Sequence, residues 1–213
     1  MASKVYLARV GVEQNGDNII SKVQHLFDKA GFGEFIGEGD LTAIKLHFGE
    51  RGNNSYISPV YVRQVIDKVK ANRGKPFVTD TNTLYVGSRH NSIYHMLTAI
   101  DHGFEYSVVG APIVVADGLV SNHYDEIQIN KKHFKTVKVA GEILSAQSMI
   151  VMSHFMGHAV AGFGGAIKNL AMGCVPRSGK MDQHRSLQPI IDVETCSTCG
   201  VCGSMSSGSY CTC

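Results

Sequence analysis

The spacing of hydrophobic positions changes several times along the chain, and each change marks an element. Lys4 to Val10 alternates apolar and polar residues, which predicts a first strand. Asn18 is placed to cap a helix whose Ile19, Val23, Leu26, Phe27 and Ala30 share one face, with Gly31 closing the run. Thr42 to Phe48 predicts a second strand. Ser58-Pro59 opens a helix with Val62, Val65, Ile66 and Val69 at helical spacing, ending near Gly74. Pro76 to Asp80 reads as a short third strand. Asn91 or Ser92 then starts a helix with Ile93, Met96, Leu97 and Ile100 facing inward and Gly103 at its end.

This alternation of strand and helix predicts an α/β fold, a mostly parallel sheet flanked by helices. The middle of the chain breaks the pattern. Tyr124 to Asn130 and Phe134 to Val139 flank Lys131-Lys132-His133, which predicts a hairpin at the sheet edge, although Lys-Lys is not favoured turn chemistry. A short helix from Glu142 to Ala146 leads into a buried strand, Met149 to Met152. No internal repeat is evident. After Gln188-Pro189 the composition shifts to Cys, Ser, Gly and Thr, which places an α/β domain over residues 1–189 and a Cys-rich tail over 190–213.

Bulk properties narrow the function classes. The chain has 213 residues, 44% hydrophobic and 18% charged, which suits one globular core rather than two domains with linkers. A formal charge of +2, with no basic stripe, argues against nucleic acid as a partner. No stretch approaches the ~18 consecutive apolar residues of a membrane span. The opening MASKVYLARV has no apolar signal core, so a cytoplasmic, reducing location is expected. That expectation turns attention from disulfides to metal for the cysteines, five of which lie between Cys196 and Cys213.

The candidate chemistry concentrates between His154 and His184. There a buried strand empties into a glycine-rich loop that carries His154, His158, Lys168, Cys174, Lys180 and His184. Open α/β sheets bind ligands beyond the carboxyl ends of their strands. Gly162-Phe-Gly-Gly-Ala-Ile-Lys168 lacks the closing residues of a P-loop. The backbone near Gly162, Gly164 and Gly165, with Lys168 and Asn169 on the following helix, can still bind a phosphate or carboxylate; the other reading is a tight turn. His154 and His158 are four apart and on a helix would share a face as metal ligands do, though a structural histidine is equally expected. His47 and Asp80 end two strands on the edge where His158 is expected, and alternation puts Lys45 on the face of His47. His25, His95, His102, His123 and His133 read as surface or helix-face residues. Cys174 reads as a buried structural thiol or one lining the site.

Cys196, Cys199 and Cys202 follow the two-residue spacing by which one loop wraps an iron–sulfur cubane. Ser206 stands where a ferredoxin loop has its fourth cysteine, and Cys211 or Cys213 could supply the missing ligand of a 4Fe-4S site. Zinc, or a broken site, is the other outcome.

The blocks IKLHFGERGNNSYISP, KPFVTDTNTLYVGSRHN, PIVVADGL and SHFMGHAVAGFGGAIKNLAMGCVPRSGKMDQH, in that order, resemble the family called domain of unknown function 362. That resemblance implies an iron–sulfur-associated protein with a ferredoxin-like cysteine segment. HAVAGFGGAIKNLAMG is also similar, more distantly, to the N-terminal domain of nickel-pincer lactate racemases. This second resemblance implies His158 as a catalytic histidine, Lys168 as the cofactor-bearing lysine and His184 as a nickel ligand. Gly87-Ser88-Arg89-His90 resembles that family's Gly-Thr-His-Arg stretch with Arg and His in reversed order. The racemase's second domain has no counterpart here, so shared ancestry of the sheet does not carry over the reaction.

Three functions are therefore expected in order. The first is an iron–sulfur-linked redox enzyme with His47, Asp80, His158, Lys168 and His184 around a small anionic substrate and an electron-transfer partner. The second is a metal or pincer-cofactor isomerase, and the third an anion- or metal-binding carrier without catalysis.

Overall fold

A computed structural model describes residues 3–11, 18–158, 162–184 and 194–197. The first helix, α1 (Ile19–Lys29), is capped by Asn18, whose side chain accepts from Ile20 and Ser21 N–H while the Ser21 hydroxyl accepts from Asn18 N–H. Gly31, in the left-handed region at φ 70°, ends it and leads into a short 3-10 turn, Phe32–Phe35. Then follow β1 (Leu41–Lys45), α2 (Pro59–Ala71), β2 (Lys75–Asp80), α3 (Ser92–Asp101), α4 (Tyr106–Val109) and β3 (Ile113–Val115). The antiparallel pair β4 (Tyr124–Gln128) and β5 (Thr136–Ala140) precedes α5 (Gly141–Ser145) and β6 (Ser148–Val151). A tight pair, β7 (Met156–His158) and β8 (Gly162–Gly164), then leads to α6 (Ala166–Gly173) and α7 (Arg177–His184).

The main sheet has the order β3-β2-β1-β6, with every pairing parallel. The central strand β1 is buried from Thr42 to Lys45, as a parallel strand covered on both faces must be. Pro59 starts α2 at its first turn, and Val62, Val65, Ile66 and Val69 face the core with Ile44, Leu46, Phe48, Val78 and Phe104. The α/β expectation and most of its elements hold. From β1 the strand order runs outward through β2 to β3, and the chain returns to the opposite side of β1 as β6. The carboxyl ends of β1 and β6 therefore meet at the point where the strand order reverses, the place such sheets form a binding crevice.

Three expectations need correction. Lys4 to Val10 is not a strand: Val5 and Leu7 are 90% and 89% exposed, and the segment joins no ladder among the described residues. Alternation cannot hold a strand without a partner. The Tyr124–Ala140 hairpin forms, but as a separate two-stranded sheet rather than an extension of the main one.

The third correction is the orientation of α3. Ser92, His95, Thr98 and Ala99 face inward, whereas Ile93 and Leu97 are 58% and 48% exposed, with Met96 and Ile100 also exposed. Two of the inward polar groups find partners in neighbouring loops, Ser92 Oγ donating to Gly118 O at 2.7 Å and Thr98 Oγ1 to Ser88 O at 2.8 Å, whereas both ring nitrogens of His95 are buried without a hydrogen-bond partner. His95, expected at the surface or on a helix face, lies on the inner face of α3, fully buried against the Phe48 ring.

Candidate functional site

At the ends of β1 and β2 the chain buries charge. Lys45 is fully buried, and its Nζ lies 3.0 Å from Asp80 Oδ1 while donating to Asn169 Oδ1 at 2.5 Å and Leu46 O at 3.1 Å. The other carboxylate oxygen of Asp80 accepts from Arg89 Nη1 at 3.2 Å. Arg89 also holds Glu50, and Glu50 is bonded by the Tyr85 hydroxyl. Burial pushes the Asp80 carboxyl up, but Lys45 foremost, with Arg89 and Lys180, outweighs it and leaves the group at about 2. His95 Nε2 stands 3.9 Å from Asp80 Oδ2, and burial lowers this imidazole to about 4, so it is neutral at pH 7. Burial also pushes the Tyr85 phenol up, to about 12.

A second buried cation braces this frame from α7. Lys180 Nζ donates to Thr81 Oγ1 at 2.6 Å and to Asn82 O and Val175 O at 2.7 Å. Burial lowers its amine to about 8. Asp117, just past β3, accepts from Asn82 N at 3.0 Å and from Asn82 Nδ2 at 2.9 Å, and burial raises its carboxyl. Buried charges of this kind are stable only when each is paired or hydrogen-bonded, and here nearly every atom is.

Asn169 ties the frame to β6. Besides accepting from Lys45, its amide donates to Met152 O at 3.0 Å and Ser153 Oγ at 2.9 Å. Its side chain is thus committed inward. Gly173, at the other end of α6, is packed so closely that a Cβ there would lie 2.3 Å from Lys45 Nζ. Cys174 follows, half-buried, with a thiol that burial raises against the pull of Lys45. It lies beside the frame.

His47 extends beyond β1 and His154 beyond β6. Each is half-buried, and each has one ring nitrogen, His47 Nε2 and His154 Nδ1, that is buried without a hydrogen-bond partner. Burial is the main cause lowering the His47 imidazole, with Arg89, Lys45 and His154 adding to it and Asp80 opposing.

The glycine-rich stretch is a hairpin rather than an open loop. Met156 faces Gly164, and His158 faces Gly162, which takes φ 78°. His154 lies outside any helix and His158 in β7, so the two do not share a helical face. From α6, Lys168 Nζ instead reaches His158 Nε2 in a direct hydrogen bond. Partial burial lowers the Lys168 amine. Gly165 precedes α6 in extended backbone and no side chain caps that helix. The sequence-expected site residues therefore fall into two groups: His47, Asp80 and Asn169 with the buried frame, and His158 on the hairpin with Lys168 on α6.

The expected metal set is mostly beyond view. Cys199, Cys202, Cys211 and Cys213 lie outside the described residues; Cys196 is a half-buried free thiol, and His184 is exposed at the end of α7. Among the described residues no group of three or more His, Cys, Asp or Glu side chains is arranged to hold a metal ion. A cleft of about 410 Å³ beside α7, lined by Ser121, Lys138, Arg177, Ser178 and Asp182, contains none of the expected residues. None of the helices among the described residues is long and apolar enough to cross a membrane.

The model of a protein family described as a domain of unknown function (DUF362) matches residues 42–199. The chain belongs to that family. The match begins at β1 and so spans the buried frame, the His158–Lys168 pair, Cys196 and Cys199. No curated protein and no solved structure matches the chain, so nothing adds to the resemblance to lactate racemases. Within this DUF362 domain, no role was assigned from the sequence to Arg89, His95, Asp117 or Lys180, all of which are buried or bonded in the frame. The usable signal was a run of polar residues, Asp80-Thr-Asn-Thr, at the end of an apolar strand, because buried polar groups there require partners of opposite kind elsewhere.

Proposed function

We propose that the chain is the ligand-binding α/β domain of an iron–sulfur-linked redox enzyme acting on a small anion. The observation that carries this reading is the His158–Lys168 contact beside the buried Lys45–Asp80–Arg89 frame. A lysine whose charge is disfavoured by partial burial serves either as the partner of an anion or, once neutral, as a nucleophilic amine. His158, in contact with it, takes up or returns the proton. The frame gains by rigidity: its ions are paired inside the protein, so it holds the strand ends in place without competing for the ligand.

Cys196, Cys199 and Cys202, with Cys211 or Cys213, would hold the cluster, and thiolate donors at this spacing suit iron and sulfide. Bound there, a cluster supplies one-electron transfer. A reducing, cytoplasmic compartment belongs to the same reading. The same His158–Lys168 contact favours one further reading, an isomerase whose cofactor is covalently anchored on Lys168, with a metal such as nickel held through His184.

Protein purified without oxygen and analysed for iron, nickel, zinc, labile sulfide and intact mass separates the two. Iron and sulfide in near-equal amounts support the redox reading. Nickel with a mass adduct on Lys168 and no sulfide supports the isomerase. In either case Lys168→Ala loses the retained ligand while the melting temperature barely changes, because this side chain is exposed and packs little. A large loss of stability with unchanged ligand retention would make Lys168 structural and end both readings.

A further inference from the structure

We infer that His47 is a neutral hydrogen-bond donor, its Nε2–H aimed at a carboxylate or phosphate oxygen of the ligand, with His154 beside it. The inference rests on the proposed anion site, which it makes specific.

The position follows from topology. Lys45 pairs with Val151 in the parallel register, and Met152 N–H donates to Lys45 O at 2.8 Å. His47 and His154 thus leave neighbouring strands within a residue or so of the same level, at the point where the strand order reverses. Each brings one buried, unpartnered ring nitrogen to that point.

The tautomer follows from a single hydrogen bond. Gly49 N–H donates to His47 Nδ1 at 3.2 Å, so Nδ1 presents its lone pair. In a neutral imidazole the other nitrogen then carries the hydrogen. Gly49 fixes this arrangement, since its φ of +82° suits glycine and a Cβ would lie 2.4 Å from Tyr56 Cδ1. Burial, with Arg89 and Lys45 and against the opposing pull of Asp80, lowers this imidazole below its ordinary value and so favours the uncharged ring. His47 Nε2 is therefore a buried N–H without an acceptor, a situation native proteins rarely leave uncompensated.

The same tautomer excludes two roles that sequence alone allows. With Nδ1 occupied as acceptor and Nε2 protonated, the ring has no lone pair at Nε2 for a metal, and none to abstract a proton as a base. What remains is the electrophilic role, a preorganised donor to an oxygen that bears or develops negative charge. The nearby charges are mixed: the Asp80 carboxylate acts most strongly on His47, and Arg89 and Lys45 act from the cationic side. Lys168 adds an amine from α6, in contact with His158 of the adjoining hairpin.

Nitrogen-15 NMR of histidine-labelled protein tests this without reference to any cluster. At pH 7 His47 should show the Nε2-protonated tautomer, and its Nε2 signals should move on titration with acetate or inorganic phosphate. A response to acetate alone identifies a carboxylate-type ligand, and a response to phosphate alone a phosphorylated one. His47→Gln, which keeps an N–H near Nε2, should bind the responding anion within about threefold of the parent. His47→Leu should weaken it about tenfold or more, the loss of one hydrogen bond to a charged oxygen. An Nδ1-protonated tautomer, signals unmoved by both anions, zinc binding at Nε2, or equal weakening in both variants would each overturn the inference. Failure to reconstitute a cluster would leave all these readouts intact, so the two readings fail separately.

Discussion

Replacing Lys45 with Met is the sharpest test of the buried frame. The two side chains have similar length and volume, so the change removes a charge and three hydrogen-bonding contacts without opening a large cavity. Asp80 keeps Arg89 at 3.2 Å, but loses the cation that does most to hold its carboxyl at about 2. Removing one partner of a buried pair costs roughly 3–5 kcal/mol, and the remaining Arg89 contact places the expected loss near the lower end, about 3 kcal/mol at pH 7. Acid adds a second readout. The folded carboxyl at about 2 lies below its unfolded value of 3.8, so it contributes stability that is present above pH 3.8 and is lost as pH falls toward 2. The interval corresponds to about 2 kcal/mol. In the variant the folded carboxyl rises, and that contribution shrinks or changes sign. Urea unfolding at pH 7 and pH 3, for Lys45→Met, Asp80→Asn and the double variant, measures both effects. A loss under about 1 kcal/mol at pH 7, or strict additivity of the two single changes, would refute the picture of a coupled buried pair.

Two further outcomes are expected from the same frame. His95, lowered by burial to about 4 from an ordinary 6.5, contributes stability present above pH 6.5 and lost as pH falls to 4; His95→Leu should flatten the pH dependence of the unfolding midpoint across that window, and an unchanged slope would count against a buried neutral imidazole. Gly173→Ala should destabilise by about 1–3 kcal/mol, since its Cβ would meet Lys45 Cε at 2.5 Å and Asp80 Oδ1 at 3.0 Å, whereas Gly165→Ala, with no atom nearer than 3.8 Å, should leave the thermal midpoint nearly unchanged.

Elements with a local cause were legible in the sequence. Asn18 capping α1, Pro59 opening α2 and Gly103 ending α3 at φ 84° depend on neighbours a few residues away. The strands β1, β2 and β6 announced themselves by apolar runs between turn signals. Lys4 to Val10 failed because a strand exists only through its partner, and alternation carries no information about whether one is available. Of the site, the convergence of His47 and Asp80 was readable from strand ends in a parallel sheet, and the His158–Lys168 pairing from their shared segment. Arg89 and Lys180 were not, because each is placed by contacts formed across distant stretches of chain: Arg89 on Glu50, and Lys180 on Thr81 and Asn82.

The reversed α3 joins the fold to the site. A helix with Ile93, Met96, Leu97 and Ile100 on one stripe should bury that stripe if its neighbours are apolar. Its neighbours are instead the polar strand ends around Asp80 and the loop carbonyls of Ser88 and Gly118. Turning the aliphatic stripe inward would strand those acceptors and set hydrocarbon against the Asp80–Arg89 ion pair, and buried polar atoms left without partners carry their full desolvation cost. Ser92, Thr98 and His95 therefore take the inner positions, with Ala99 filling the space a larger residue would contest. The orientation of α3 is thus a consequence of the buried charges at the strand ends. Sequence periodicity, which measures only hydrophobic regularity, points the other way wherever a polar site replaces the ordinary core beneath a helix.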